Sequence, residues 1–387
     1  MKSNLKFSKL GEVSEIFAGG DKPNNFSLLK DREHQVPVFA NGETNSGLQG
    51  FTDKAKVKQP AVTVSARGTI GYAVLREEPF VPIVRLLTLI PDEKKLDVNY
   101  LYYYLTLYRQ AGLGSSQPQL TVPDIANRKI SMQSLSAQQA IGKTLSFFDK
   151  KIELNNKINA ELEQMAKTLY DYWFVQFDFP DANGNPYKSS GGAMLYNEEL
   201  KREIPKDWRV DDIRSFSNIF DSKRVPLSSK QRENRKGIFP YHGATEIMDY
   251  IDDYIFDGEY ILLAEDGSVM NAEGFPNLQF VKGQFWANNH AHVLQAKELI
   301  HNEFLYRTLQ YVPVVRMMTG SVQMKINQEN LMSTKILIPS QQILETFSKF
   351  ASPAREKIFE AADENQKLAE LRDWLLPMLM NGQVTVK

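Results

Sequence analysis

Apolar and polar positions follow two different rhythms along the 387 residues. The first is helical. From Ile141 the chain places Ile141, Leu145, Phe148, Ile152, Asn155, Asn159, Leu162, Ala166, Leu169 and Trp173 at alternating steps of four and three. That is a heptad seam, interrupted by two asparagines where apolar residues are expected. A second stretch, from Gln341 to Leu376, carries Phe347, Phe350, Ala354, Ile358, Ala361, Asn365, Leu368 and Leu375 less regularly. Pro353 is expected to kink or interrupt it. A helix of about 36 residues is about 54 Å long. Two such amphipathic helices are predicted to bury their seams against each other.

The second rhythm is that of short strands. Val36–Ala40, Ala61–Val64, Tyr72–Leu75 and Val84–Ile90 are apolar or β-branched runs bounded by Gly, Asn and Pro. Ile251–Phe256, Tyr260–Leu263, Leu278–Val281 and His292–Gln295 repeat the style, and one helical segment closes each region, near Asn99–Tyr108 and Asn302–Tyr311. Phe179 to Trp208 begins dense in Gly, Pro, Asn and Ser and reads as a linker or extended loop.

The two regions correspond in order. GSSQPQLT from Gly114 matches GSVQMKIN from Gly320, LSAQQAI (Leu135–Ile141) matches PSQQI (Pro339–Ile343), and KTLYDYWF (Lys167–Phe174) matches AELRDWLL (Ala369–Leu376). Upstream, VPVFANGET from Val36 resembles FPYHGATE from Phe239, and SARGTIGYAV from Ser65 stands where AEDGSVM from Ala264 does. A period near 200 residues is too long for a solenoid and indicates a duplicated domain-plus-helix unit.

Composition removes several chemistries. With no cysteine, thiol nucleophiles, disulfides and thiolate metal sites are excluded. There is no Walker-type loop and no His-Glu-x-x-His. His290 and His292 alternate on a predicted strand and read as a polar or ligand-contacting edge rather than a metal site. Asn185-Pro186-Tyr187 resembles part of the Asn-Pro-Pro-Tyr motif of adenine methyltransferases but lacks the second proline, and reads as a turn. The adjacent carboxylates Asp252-Asp253 and Glu265-Asp266 point apart on a strand and make no acid/base pair. The start of the chain lacks a signal-peptide core, and no apolar run is long enough for a membrane span, so a cytoplasmic location is expected.

The net charge of −1 gives no global sign of nucleic-acid binding, but charge is unevenly placed. Residues 1–134 hold 17 basic and 13 acidic side chains. Ser222–Lys236 holds six basic residues against Glu233 alone, and Glu246–Asp266 holds eight acidic residues and no basic one. A basic loop among polar residues suits phosphate positioning and base-edge hydrogen bonding.

The segment LSAQQAIGKTLSFFDKKIELNNKINAELEQMAKTLYDYWF from Leu135, the stretch NPYKSSGGAMLYNEELKREIPKDW from Asn185 and the ending LAELRDWLLPMLMNGQ from Leu368 resemble the specificity (S) subunit family of type I restriction-modification systems, HsdS. The resemblance spans the chain. It implies an α+β fold: two mixed α/β target recognition domains separated by two long helices in an antiparallel coiled coil, related by a pseudo-two-fold internal repeat. The expected boundaries are a first recognition domain over 1–134, a spacer helix over 135–178, a linker over 179–206, a second recognition domain over 207–339 and a distal spacer helix over 340–387. Each domain would read one half of a bipartite site in double-stranded DNA. The helices would fix the spacing, about one DNA turn, and dock two methylation (M) subunits. The chain itself would be non-catalytic and hold no cofactor or metal. S-adenosylmethionine, ATP and Mg would belong to the methylation and restriction (R) subunits. The alternative is a duplicated coiled-coil assembly scaffold without DNA binding.

Base-reading residues vary within the family, so candidates rest on chemistry. In the first domain they are Lys22, Asn24, Asn25, Asn41, Asn45, Ser65, Arg67, Thr69, Gln117 and Gln119. In the second they are Lys223, Arg224, Lys230, Arg232, Arg235, Lys236, His242, Ser268, Asn288, Asn289, His290, Gln323 and Lys325. Arg67 and the basic loop lead, because arginine can grip guanine with two hydrogen bonds. Gly68, Gly71, Gly114 and Gly320 would serve turns or close backbone approach.

Overall fold

The computed structural model describes residues 6–109, 118–319 and 324–386. Gly114, Gln117, Gly320 and Gln323 lie outside the described residues. The chain divides into two compact units, residues 1–155 with 363–387, and residues 156–362.

The first unit runs β1 (Lys6–Lys9), α1 (Leu10–Val13), β2 (Ser14–Ala18), β3 (Val36–Phe39), β4 (Leu48–Thr52), β5 (Ala61–Val64), β6 (Ala73–Arg76), β7 (Val81–Pro82), β8 (Leu87–Pro91), α2 (Val98–Leu107), α3 (Val122–Ala126) and β9 (Lys129–Met132). Its sheets have the orders β2-β8-β5-β6 and β4-β3-β7, and β1 pairs β9. Val62, Val64, Leu87 and Leu89 bury one sheet face against Tyr100, Leu101, Tyr104 and Leu105 of α2. The long helix α4 (Leu135–Tyr170) begins in this unit.

The second unit adds β10 (Met194–Asn197), β11 (Arg202–Pro205), β12 (Arg209–Asp212), α5 (Ile213–Phe216), β13 (Ser217–Ile219), α6 (Ser229–Glu233), β14 (Lys236–His242), β15 (Ile247–Ile251), β16 (Phe256–Ala264), β17 (Leu278–Ala287), β18 (Ala291–Ala296), α7 (Asn302–Gln310), β19 (Met318–Thr319), β20 (Lys325–Ile326), α8 (Gln328–Ser333), β21 (Lys335–Ile338) and α9 (Gln341–Met380). Its main sheet has the order β13-β18-β16-β17-β14-β15. This is the first unit's order again, with one long strand, β17, doing the work of β6 and β7. It pairs antiparallel with β16 and parallel with β14, as β6 does with β5 and β7 with β3. The duplication inferred from sequence is thus a duplication of topology.

Each unit ties its own helix segments together antiparallel. In the first, Arg372 of α9 donates to Asp149 of α4 at 2.5 Å, and Asn155 donates to Asn365 at 2.9 Å and to Glu364 at 2.7 Å. In the second, Asn159 donates to the Ile358 carbonyl at 3.4 Å, and Arg355 donates to Glu163 at 2.9 Å. Partner numbers fall as α4 numbers rise. The seam residues Ile141, Leu145, Phe148, Asn155, Trp173 and Phe347 are buried. Ile152, Asn159, Leu162, Leu169, Ile358, Leu368 and Leu375 are half-buried.

Four expectations need correction. Phe350 is 63% exposed and only edges toward Trp173. The buried face of α9 runs instead through Leu344, Phe347, Ala351 and Arg355, stepping past residue 350. Pro353 does not interrupt α9, which continues from Gln341 to Met380. It sits on the exposed side, where water can satisfy the carbonyl its missing N–H leaves free. Ile251–Phe256 is not one strand but the turn between β15 and β16. Finally, the stretch after Phe179 is folded rather than a free linker. Phe179 stacks on Tyr187 and Trp208 with ring centroids 4.6 and 4.9 Å apart, and β10 and β11 form a hairpin.

The Gln-rich helix openings have a local reason. Buried Gln138 accepts from the Asp97 backbone N–H at 3.0 Å and donates to the Lys95 carbonyl at 3.1 Å, fastening α4 to the start of α2. Gly142 allows the approach: a Cβ there would lie 2.7 Å from Asp97 Oδ1 and 2.8 Å from Asn99 Cβ. Gly142→Ala should therefore destabilise the protein by about 1–3 kcal/mol, overriding the usual gain of about 1 kcal/mol for Gly→Ala in a helix. Urea denaturation checks it, and a stabilised variant would contradict the close approach. The two phenylalanines of α9 offer a second check. Phe347→Ala should cost about 3–5 kcal/mol and Phe350→Ala less than about 1 kcal/mol, measured the same way.

Candidate nucleic-acid interface

In the first unit, the polar candidates converge on the turn that follows β5. Asn41 holds this turn with both ends of its amide: Oδ1 accepts from the Ala66 N–H and Nδ2 donates to the Val84 carbonyl, both at 2.7 Å. Ser65 is buried and accepts from the Gly42 N–H at 3.3 Å. These two residues position the turn rather than face outward. Gly68 adopts φ +68° at its apex, and a Cβ there would meet nothing. Arg67 is exposed beside it, and its Nε and Nη2 donate to Gln119 Oε1 at 3.3 and 2.9 Å. Thr69 keeps a buried hydroxyl with no partner among the described residues. Lys22 lies over the Phe26 ring at 3.4 Å, and Asn25 Oδ1 lies 2.7 Å from His34 Nε2. Asn24 and Asn45 are exposed, the latter in a left-handed conformation at φ +47°.

In the second unit the basic loop meets the acidic segment that follows it in sequence. Ser228 caps α6 by accepting from the Gln231 N–H at 3.3 Å, while Gln231 Oε1 accepts from the Ser228 N–H at 2.8 Å. The chain then enters β14, whose partner β15 carries Asp249 and leads into Asp252 and Asp253. Lys236 reaches Asp249 at 2.6 Å, Arg232 reaches Asp249 at 3.5 Å, and Arg235 reaches Asp252 at 2.8 Å and Asp253 at 3.5 Å. The Lys236 ammonium and the Tyr250 N–H hold the Asp249 carboxyl below the usual carboxylate range. Three of the six cations of the predicted loop are therefore paired within its own hairpin. Arg235 also covers the Trp286 ring at 5.0 Å.

Arg224 is withdrawn further. It bridges Asp221 at 3.2 Å and Glu265 at 2.7 Å and donates to the Ala291 carbonyl at 2.7 Å. Burial pushes the Glu265 carboxyl up, but hydrogen bonds from Arg224 and Lys325 outweigh this and hold it below its ordinary range. Asp221, Glu265 and His292 are the one group among the described residues whose spacing could suit a metal ion. Arg224 already supplies the positive charge there by bridging Asp221 and Glu265, so the two carboxylates are neutralised without an ion. His290 and His292 do not share an edge either: His292 is buried, while His290 precedes β18 and lies exposed, 2.6 Å from Asp266.

The remaining candidates fall into two sets. His242 is buried on Gln279 at 2.9 Å, and burial lowers its pKa. Asn288 is buried and accepts from the His290 N–H at 2.8 Å. Both are framework. Lys223, Lys230, Ser268, Asn289 and His290 are exposed, and Lys325 is half outside, 3.0 Å from Glu265. Lys230 makes no ion pair among the described residues.

The two units use the same backbone device at this point. Leu120 N–H donates to the Ala66 carbonyl and Ile326 N–H to the Glu265 carbonyl, both at 2.9 Å. Gly68 and Gly267 then turn the chain with φ +68° and +70°. Arg67 and Asp266 thus occupy equivalent positions, as do Gln119 and Lys325. Sequence reasoning missed Asp266. The correspondence of SARG with AEDG in the sequence already carries this equivalence.

Among the described residues no helix is long and apolar enough to cross a membrane. The family model for the type I restriction modification DNA specificity domain matches residues 2–164 and again 205–358. The chain is 26% identical to the type I restriction enzyme MjaIX specificity subunit of Methanocaldococcus jannaschii, over 99% of this chain and 93% of that one. It is 36% identical to a putative type I restriction enzyme specificity subunit of Haemophilus influenzae, S.HindORF215P, over 37% of this chain and 35% of that one. The fold matches the crystal structure of a type I restriction-modification S subunit from M. genitalium, with TM-score 0.64 at 19% identity, covering 98% of this chain and 97% of that one. With both halves matched by one family description, the chain belongs to the type I restriction-modification DNA specificity family.

Proposed function

We propose that this chain is the DNA-reading subunit of a type I restriction-modification complex, each sheet domain reading one half of a two-part site. The observation that carries it is the double match of the DNA specificity domain onto two domains of one topology. Two readers of different surface chemistry suit an asymmetric target. A scaffold with no DNA role would leave that match without a reason.

The chain itself performs no catalysis in this reading. S-adenosylmethionine, ATP and Mg belong to its methylation and restriction partners, and the assembly works in the cytoplasm. The paired helices keep the half-site spacing and dock the methylation subunits. A second apolar stripe on α4 supports docking. Phe147, Leu154, Ile158 and Met165 recur at steps of seven, four and seven, and all are exposed although the seam lies on a neighbouring face.

Genome-wide mapping of methylated adenines in the host, with and without this gene, tests the DNA reading. One bipartite motif should disappear on deletion, and an unchanged methylation map would sink the proposal. For docking, Phe147→Ser combined with Met165→Ser should leave the thermal melt within about 2 °C and abolish co-elution with the methylation subunits. Retained co-elution would place the docking surface elsewhere.

A further inference from the structure

The turns after β5 and β16 share a backbone and differ in charge. Each is pinned by the same carbonyl bond, from Leu120 or Ile326, and each is turned by a glycine in the left-handed region. What projects from them is opposite. The first presents the exposed guanidinium of Arg67, steadied by Gln119. The second presents the Asp266 carboxylate with His290 at 2.6 Å. Core packing does not demand this difference: Arg67 is exposed and the Asp266 side chain is 27% exposed beside His290, at the same position of the same backbone turn.

We infer that this turn is a specificity position, reading a guanine through Arg67 in one half-site and a cytosine through Asp266 in the other. The inference rests on the DNA-reading function proposed above. Arginine offers only donors, and the major-groove edge of guanine offers two acceptors, N7 and O6. An ionised aspartate offers only acceptors, which suit the N4 amino donor of cytosine. Gln119 takes Nε and Nη2 of Arg67 as its donors, so the guanidinium plane is held while its remaining N–H groups stay available. That orientation lowers the entropy lost on binding. His290 plays the corresponding part for Asp266. Nearby Lys325 reduces the repulsion a carboxylate would feel from the phosphates.

The full chain, assembled with the methylation subunits of its own host, is selected on a randomised duplex library, and the bound fraction is sequenced. Wild type should enrich a two-part motif. Arg67→Gln should lower the preference for guanine at one position of one half by about 5- to 150-fold, leaving the other half intact. Arg67→Lys separates base reading from phosphate contact, because it keeps the charge but loses the planar fork. It should retain affinity and lose the guanine preference. Asp266→Asn adds a donor to the acceptor and should move one position of the other half from cytosine toward adenine. An unchanged motif in Arg67→Lys and Asp266→Asn, with binding intact, overturns the inference and leaves the DNA reading standing. A wild-type complex that enriches no motif overturns the DNA reading itself.

Discussion

Buried charge must find its partner, and in this protein that requirement sets the register of the long helices. Glu303 of α7 is 2% exposed and Arg307 is 1% exposed. Arg355 of α9 donates to Glu303 at 2.7 Å, Arg307 donates to it at 2.8 Å, and Glu163 of α4 bridges both arginines at 2.9 Å. Three helices therefore meet around three buried charges, Glu303, Arg307 and Arg355, which the partly exposed Glu163 completes. Removing one member would strand the others, at a typical cost of about 3–5 kcal/mol. The first unit solves the same problem with fewer charges. Asp149 of α4 takes Arg372 of α9, and the buried Tyr103 phenol of α2 donates to it. Burial, and then the Asp149 carboxylate, push that phenol well up, so it stays a donor. In each unit the domain helix thus reads the α4–α9 register directly, and a one-residue slip would separate an acid from its base. Asn155 adds a neutral version of the same constraint, with Lys151, Glu364 and Asn365 around its amide.

Much of this was legible in the sequence, and for a reason. Side chains at steps of four and three must fall on one helix face, so the α4 seam emerged residue by residue, including its two asparagines. Topological duplication was legible because turn and capping residues recur in order. Phe350 was misplaced because α9 buries arginine and alanine where the pattern sought large apolar residues; Arg355 in the seam has no apolar signature. Strand limits near Ile251 failed because β15 exposes Ile247, Met248 and Tyr250 while its one acid, Asp249, turns toward the basic loop. Alternation alone cannot distinguish that arrangement from an ordinary strand.

The candidate site was less legible, since it depends on which charges meet in space. Six basic residues in a row of fifteen look like a phosphate grip. Pairing β14 with β15 brings Asp249, Asp252 and Asp253 onto three of them, and Arg224 is enclosed by Asp221 and Glu265. Adjacent segments of opposite charge therefore record a folded ion-pair network as readily as a binding surface. Arg67 differs because its partner, Gln119, is neutral and it makes no ion pair among the described residues.

That contrast also explains how a chain of net charge −1 can read DNA. Affinity for duplex DNA comes mostly from phosphate neutralisation, which scales with the number of unpaired cations. Ion pairs hold a good part of this chain's cations, including most of the basic loop, where they fix loops and helices, while others, such as Arg67 and Lys230, make no ion pair among the described residues. A lone reader of this kind would bind weakly and discriminate by base contacts rather than grip. The exposed apolar stripe on α4 is consistent with that economy: a subunit that docks onto larger partners can take its phosphate contacts from them. Its own surface is then free to differ between the two domains, as the turns of Arg67 and Asp266 do on one shared backbone.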